Sequence, residues 1–156
     1  MVGEVNNLSA TMEDYLETIL ELKKIDGFAR VGKIAARLNV KSPSVNSALK
    51  YLSKQKLVVH EKYGYVRLTA EGEKTASDVK HKHQILFRFL TEFLMLDHAE
   101  AEKEACYIEH TISKKTFVRL TQFFKFLESD FTIEKPKMLR LFAEYLKFGE
   151  KKIKCS

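Results

Sequence analysis

At 156 residues with 45% hydrophobic residues, eleven Phe among them, the chain is long enough for one large domain or two small ones with real cores, which excludes disorder over most of its length. No apolar run approaches the ~20 residues of a membrane-spanning helix and no signal-peptide pattern opens the chain, so a cytoplasmic protein without a membrane partner is expected. The net charge of +6 is concentrated in one region: Ala29 to Arg67 holds nine Lys/Arg against one acid, Glu61, a local +8 that is the footprint of a polyanion partner.

In chain order, Thr11-Met12-Glu13-Asp14 reads as a helix start with Thr11 as N-cap, and Met12, Tyr15, Leu16, Ile19 and Leu20 give its apolar stripe to near Asp26-Gly27. Val31, Ile34, Ala35 and Leu38 predict a short amphipathic helix, and Asn39-Val40-Lys41 a tight turn in which Asn tolerates a left-handed backbone. Ser42-Pro43 restarts a helix as N-cap and first helical residue, with Val45, Ala48, Leu49 and Leu52 as its buried face. Two helices joined by so short a turn read as helix-turn-helix. Leu57–Glu61 and Tyr65–Leu68 then predict paired strands around Lys62-Tyr63-Gly64, a wing.

Thr69 opens a long helix to about Phe93 whose seam is Ala76, Val79, His83, Leu86, Leu90 and Phe93. Asp97 caps the next, which carries Cys106, Glu109 and His110. Ser113 caps another with Phe117, Leu120, Phe124 and Leu127 inward; Phe123 and Phe126 make it apolar over more than one face, which suits burial between subunits. Pro136 starts a last helix with the stripe Leu139, Phe142, Leu146, and the tail from Gly149 is basic.

The helix-turn-helix carries the DNA chemistry. Recognition helices present polar side chains to base edges in the major groove while flanking Lys/Arg neutralise phosphates. Ser44, Asn46, Ser47 and Lys50 lie off the apolar stripe, with Ser42 and Pro43 at the helix start, and Asn pairs bidentately with adenine. Arg37, Lys41, Lys54 and the wing residues Lys62 and Arg67 suit the backbone.

On a helix, residues three and four apart share a face, so Cys106, Glu109 and His110 aim a thiolate, a carboxylate and an imidazole at one spot, a donor set for a transition metal. One helix rarely completes such a site. Asp14 and Glu17, three apart, and His83, which interrupts an apolar stripe, are the candidates for the rest. Glu13, Asp14, Glu17 and Glu21 also crowd one short helix with like charge that a cation would relieve. Each residue has a plainer reading. Cys106 can be a small buried hydrophobe, Glu109 and His110 a solvated face, Asp14 a capping acid and His83 a satisfied core histidine. An enzyme reading, with Cys106 as nucleophile and His110 as base, fits poorly because catalytic cysteines favour helix N-termini and Cys106 lies mid-helix. Cys106 and Cys155 make a poor disulfide framework and are expected reduced.

Several spaced segments in order make the chain resemble the DtxR/MntR family of metal-dependent repressors to about Leu127. They are Met12 to Glu17, Val31 to Lys56 with Ser42-Pro43-Ser44-Val45, Leu68-Thr69-Ala70-Glu71-Gly72, His83, and Glu104-Ala105-Cys106 with Ile108-Glu109-His110. The resemblance implies a mainly α homodimer: a winged helix-turn-helix over 8–72, an α-helical metal-binding and dimerisation domain over 73–148, and a basic tail over 149–156. It implies a double-stranded DNA operator, Fe(II) or Mn(II) as corepressor, no organic cofactor and no catalysis. The manganese branch's ligands fall on Asp14, Glu17, His83, Cys106, Glu109 and His110. At position 106 that branch has Glu and the iron branch Cys; at position 14 the manganese branch has Asp and the iron branch Met, so the set is a hybrid. Phe87 stands where the iron branch has a carboxylate, the wing glycine is shifted, and no room remains for the third domain of longer members. The rival is a winged-helix regulator answering a small organic ligand or a partner protein, which would need a roomy apolar cavity.

Overall fold

The computed structural model describes residues 8–128 and 135–148 and divides the chain into two units, 1–82 and 83–156. The expected basic tail and Cys155 lie outside the described residues.

In the first unit, α1 (Ala10–Asp26) starts ahead of the expected cap: Ser9 flanks it, and the Ser9 carbonyl accepts the N–H groups of Met12 (2.8 Å) and Glu13 (3.1 Å). α2 (Val31–Leu38) ends on Asn39, whose φ of 52° turns its N–H back onto the Ala35 and Ala36 carbonyls and frees the chain to reverse. α3 (Ser42–Lys54) is capped one residue earlier than expected. The Lys41 carbonyl takes the N–H of Ser44 (3.0 Å), so Ser42 is already helical. Tyr15, Leu16 and Ile19 of α1, Ile34 and Ala35 of α2, and Val45, Leu49 and Leu52 of α3 meet in one core with Leu57, Val58, Val66 and Ala76. Each buried Leu or Ile there is worth roughly 1.5–3 kcal/mol, so the three-helix packing rather than capping fixes the helix-turn-helix angle.

The expected wing forms from β2 (Val58–His60) and β3 (Tyr65–Leu68), paired antiparallel with Val59 opposite Arg67. A third strand was not expected: β1 (Ala29–Arg30) joins the free edge of β3, giving the order β1-β3-β2. Two residues carry too little alternation to read as a strand. α4 (Ala70–Arg88) begins against the wing. The Thr69 hydroxyl accepts the Gly72 N–H (3.1 Å) and reaches the Lys56 carbonyl (2.7 Å), and a Cβ on Gly72 would lie 1.9 Å from the Leu57 carbonyl oxygen. Only glycine lets that turn of α4 touch the Leu57 backbone. Lys80 of α4 and Arg37 of α2 both pair with Glu21 of α1 (2.7 and 3.2 Å); burial pushes the Glu21 carboxyl up, but the two cations outweigh it and hold it below its ordinary value.

In the second unit, α4 continues through His83 to Arg88, and the expected extension to Phe93 is a π-helical turn, Phe89–Phe93. α5 (His98–Thr111) is capped as expected by the Asp97 side chain, which accepts the Glu100 N–H (2.9 Å). Ser113 likewise accepts the Thr116 N–H (3.1 Å) at the head of α6 (Lys114–Glu128). Ala101 and Ala105, fully buried, allow α5 close approach to Leu86 and Leu90. Phe124 packs edge-on to Phe93 (4.9 Å) in a second cluster that takes in Leu139 of α7 (Lys135–Phe148). Leu146, expected inward, is exposed, as are Phe123 and Phe126. The apolar stripe of the last helices is wider than one copy of this unit covers.

Candidate metal centre and DNA-binding surface

α3 buries Val45, Ala48, Leu49 and Leu52 and so turns Ser42, Pro43, Ser44, Asn46, Ser47, Lys50 and Lys54 outward, all exposed. Asn46 and Lys50 are one helical turn apart on this outer face and can reach base edges together. Ser47 donates to the Pro43 carbonyl (3.0 Å), which leaves its oxygen as an acceptor. Lys41 is exposed in the turn. Two of the expected phosphate ligands already hold acids: Arg37 pairs with Glu21, and Arg67 of β3 with Glu61 (2.5 Å). Both guanidinium groups stay more than half exposed, so phosphate can compete for them. The expected Lys62 side chain lies outside the described residues. The sequence reading did not single out Arg30. It lies over the rings of Phe28 (5.0 Å) and Tyr65 (4.2 Å) and donates to the Tyr65 hydroxyl.

The second unit gathers a different chemistry. Cys106, Glu109 and His110 sit at i, i+3 and i+4 of α5, and the ligand atoms of the three lie within 4.8 Å of one another. Glu109 is 1% exposed, which makes it the one fully buried carboxylate among the described residues. His83 reaches it from α4, Nδ1 to Oε2 2.8 Å, while His110 Nε2 lies 3.3 Å from Oε1. Cys106 is exposed, which removes its plainer reading as core packing within this unit. Asp14 and Glu17, one turn apart and half-buried on α1, belong to the first unit. Glu102, one turn before Cys106, was missed: its Oε1 lies 3.3 Å from His83 Nε2. Acids at 100, 102 and 104 all look alike in sequence, and only the fold selects the middle one.

Glu109 shows what the cluster needs. A buried carboxylate demands a positive partner, and here the hydrogen bond to Glu109 holds the His83 imidazole protonated to about 9, against its burial and with help from the charges of Glu109 and Glu102. A cation that accepts sulfur, nitrogen and oxygen donors satisfies the same carboxylate and frees both imidazoles to ligate, so the residues fit a divalent transition metal. Phe87 stacks parallel to His83 (6.4 Å) and meets His98 edge-on (4.8 Å), filling that flank with an apolar ring.

The family model "Iron dependent repressor, N-terminal DNA binding domain" matches residues 7–66, and "Iron dependent repressor, metal binding and dimerisation domain" matches residues 69–136. The chain belongs to the iron-dependent repressor family. Members are metal-responsive DNA-binding regulators, and the two matches together span residues 7–66 and 69–136 of the repressor. Among its relatives, an uncharacterised helix-turn-helix regulator of Methanocaldococcus jannaschii is 36% identical over 117 residues, 74% of this chain and 94% of that protein. The regulator MntR of Bacillus subtilis is 32% identical over 120 residues, 77% of this chain and 84% of that one. Of solved structures, the manganese regulator SloR superposes with a TM-score of 0.66 at 33% identity over 73% of this repressor; the chain spans 53% of SloR, about half its length.

Proposed function

We propose that this repressor is a homodimer activated by Mn(II) or Fe(II), which binds a double-stranded operator and controls manganese or iron homeostasis genes in the cytoplasm. It has a DNA-binding domain at 8–72 and a metal-binding and dimerisation domain at 73–148. The reading rests on the buried Glu109 carboxylate with two imidazoles and a thiol converging on it. His83, Cys106, Glu109 and His110 would hold the ion, with Asp14 and Glu17 added on the strength of the resemblance. When bound, the ion supplies the positive charge that the buried carboxylate otherwise takes from a proton on His83. Glu109 and His110 are fixed by α5, and His83 on α4 would give up its proton to ligate, so ion and proton would compete for one carboxylate. Coupling to the operator would require the ion to favour one conformer of the repressor over another. On the DNA side, Ser42, Pro43, Ser44, Asn46, Ser47 and Lys50 take the bases and Arg37, Lys41, Lys54, Lys62 and Arg67 the phosphates. SloR is a manganese regulator; here the Cys106 sulfur weighs toward iron. No catalytic role is assigned: Cys106 lies in the middle of α5, away from the helix N-terminus that would activate a thiol.

The test is a titration of a labelled duplex, selected by the protein from a random-sequence pool, with Mn(II), anaerobic Fe(II) and Co(II), against a chelator control. Affinity should tighten by about ten- to a hundredfold on metal loading. Equal binding with and without metal would mean that the chain answers some other signal.

A further inference from the structure

Tyr63 stands at the tip of the wing with 92% of its surface exposed, more than any other large apolar side chain described. Its backbone is left-handed (φ 63°, ψ 23°), and Gly64 follows with φ 73°. They lie in the three-residue loop between Glu61 and Tyr65, where a left-handed residue is ordinarily Gly, Asn or Asp. Tyrosine there strains the backbone and gains no packing, since its ring joins none of the core clusters. The tip is nevertheless held in place. Glu61 N–H donates to the Tyr65 carbonyl (2.8 Å), His60 pairs with Val66, and β1 braces the far edge of β3. Two exposed guanidinium groups lie on the strands below the ring: Arg67 on β3, paired with Glu61, and Arg30 on β1, packed over Tyr65. An exposed aromatic ring on a hydrogen-bonded finger that carries two guanidinium groups, at the cost of backbone strain, is the chemistry of a wedge for a nucleic-acid groove. A wing is too broad for the major groove once α3 fills it, and the adjacent minor groove is the neighbouring opening.

We propose that Tyr63 enters the minor groove beside the recognition helix. Its ring lies against the edge of a base step, and its hydroxyl donates to the adenine N3 or thymine O2 acceptors that A·T pairs present there. The site rests on the reading of this chain as a DNA-binding repressor and adds a second point of sequence preference, for A·T pairs flanking the bases read by α3.

The chain has no Trp, so Tyr63→Trp places a single indole at the tip. The full metal-loaded variant is mixed with an A·T-flanked duplex of about 30 base pairs, long enough for two half-sites. Anisotropy of the labelled duplex reports binding, and acrylamide quenching on unlabelled duplex reports indole exposure. Binding should lower the quenching constant at least about threefold, and netropsin, which fills A·T minor grooves, should restore quenching while the protein stays bound. Tyr63→Gly relieves the left-handed strain and so keeps the fold, yet should lose about tenfold in affinity for that duplex. Binding with the indole as open as in free protein, protection that netropsin leaves unchanged, or unaltered affinity of Tyr63→Gly would each overturn the groove contact while the DNA-binding reading stands. Failure of the wild-type protein to bind any duplex would remove that reading and this site with it.

Discussion

Single residues set the limits here. A Cβ at Gly72 would run into the Leu57 carbonyl, which cannot move without breaking its bond from the Thr69 N–H (3.0 Å). Gly72→Ala should therefore lower the stability of the first unit by about 1–3 kcal/mol, read as a drop in melting temperature, although alanine favours helix. An unchanged melt would show that the strand yields there. As a ligand of the proposed site, Cys106 should weigh on metal choice. Sulfur favours softer ions, and Mn(II) stands lowest in the divalent order. Cys106→Glu should raise activation by manganese relative to iron or cobalt, and Cys106→Ala should weaken activation by all three. A sulfur-to-cobalt band in the near ultraviolet should vanish in both variants; identical spectra and metal responses in wild type and Cys106→Ala would leave the thiol no role as ligand. His83 gives the pH dependence. Its folded value, raised to about 9, means that the bond to Glu109 stabilises the metal-free second unit fully below about 6.5 and is lost as pH rises through 9. A metal ligated by His83 would have to displace that proton, so metal affinity should climb with pH up to about 9 and release protons into weak buffer. Calorimetry in buffers of different ionisation enthalpy checks the release, and none at pH 7 would show that His83 is not a ligand.

At the scale of elements, α3 and the wing should divide the work on DNA. Asn46 and Lys50 face outward from the middle of α3, so replacing either by Ala should weaken a selected operator more than random duplex, by about 1–3 kcal/mol for each base pairing removed. Arg67→Ala should weaken both duplexes alike and reduce the slope of affinity against salt. Equal losses on both duplexes for all three variants would move base recognition off α3. These elements were legible because their signals are periodic: α2, α3, the wing strands and the caps at Asp97 and Ser113 all follow from stripe spacing and capping chemistry. What was missed lacks a period. β1 is two residues long, the π-helical turn after Arg88 keeps the apolar spacing of a helix, and the caps at Ser9 and Lys41 are made by carbonyls, which every residue owns. In the metal cluster, i, i+3, i+4 spacing made Cys106, Glu109 and His110 visible, whereas the bond from His83 to Glu109 and the nearness of Glu102 depend on two helices packing through Ala101 and Ala105.

For the molecule as a whole, metal should control binding without controlling folding. The first unit has a core of its own, from Tyr15 to Ala76, and none of its buried members is a metal-type donor. In the second unit Leu86, Leu90, Ala101 and Ala105 pack around α4 and α5, and Glu109 already has His83 as a charged partner when no metal is bound. The buried Glu109 carboxylate therefore has its partner in the metal-free state and each unit has an apolar core, unlike small domains in which the ion replaces a core. Subunit association follows the same logic, because Phe123, Phe126 and Leu146 leave an exposed apolar stripe that a second copy can cover. Chelation should accordingly leave the helical circular dichroism and the sedimentation of a dimer unchanged, with the melting temperature lowered only by the free energy of metal binding. A chelated protein that sediments as monomer, or whose helical signal disappears, would make the metal a structural element and the repressor a folding switch.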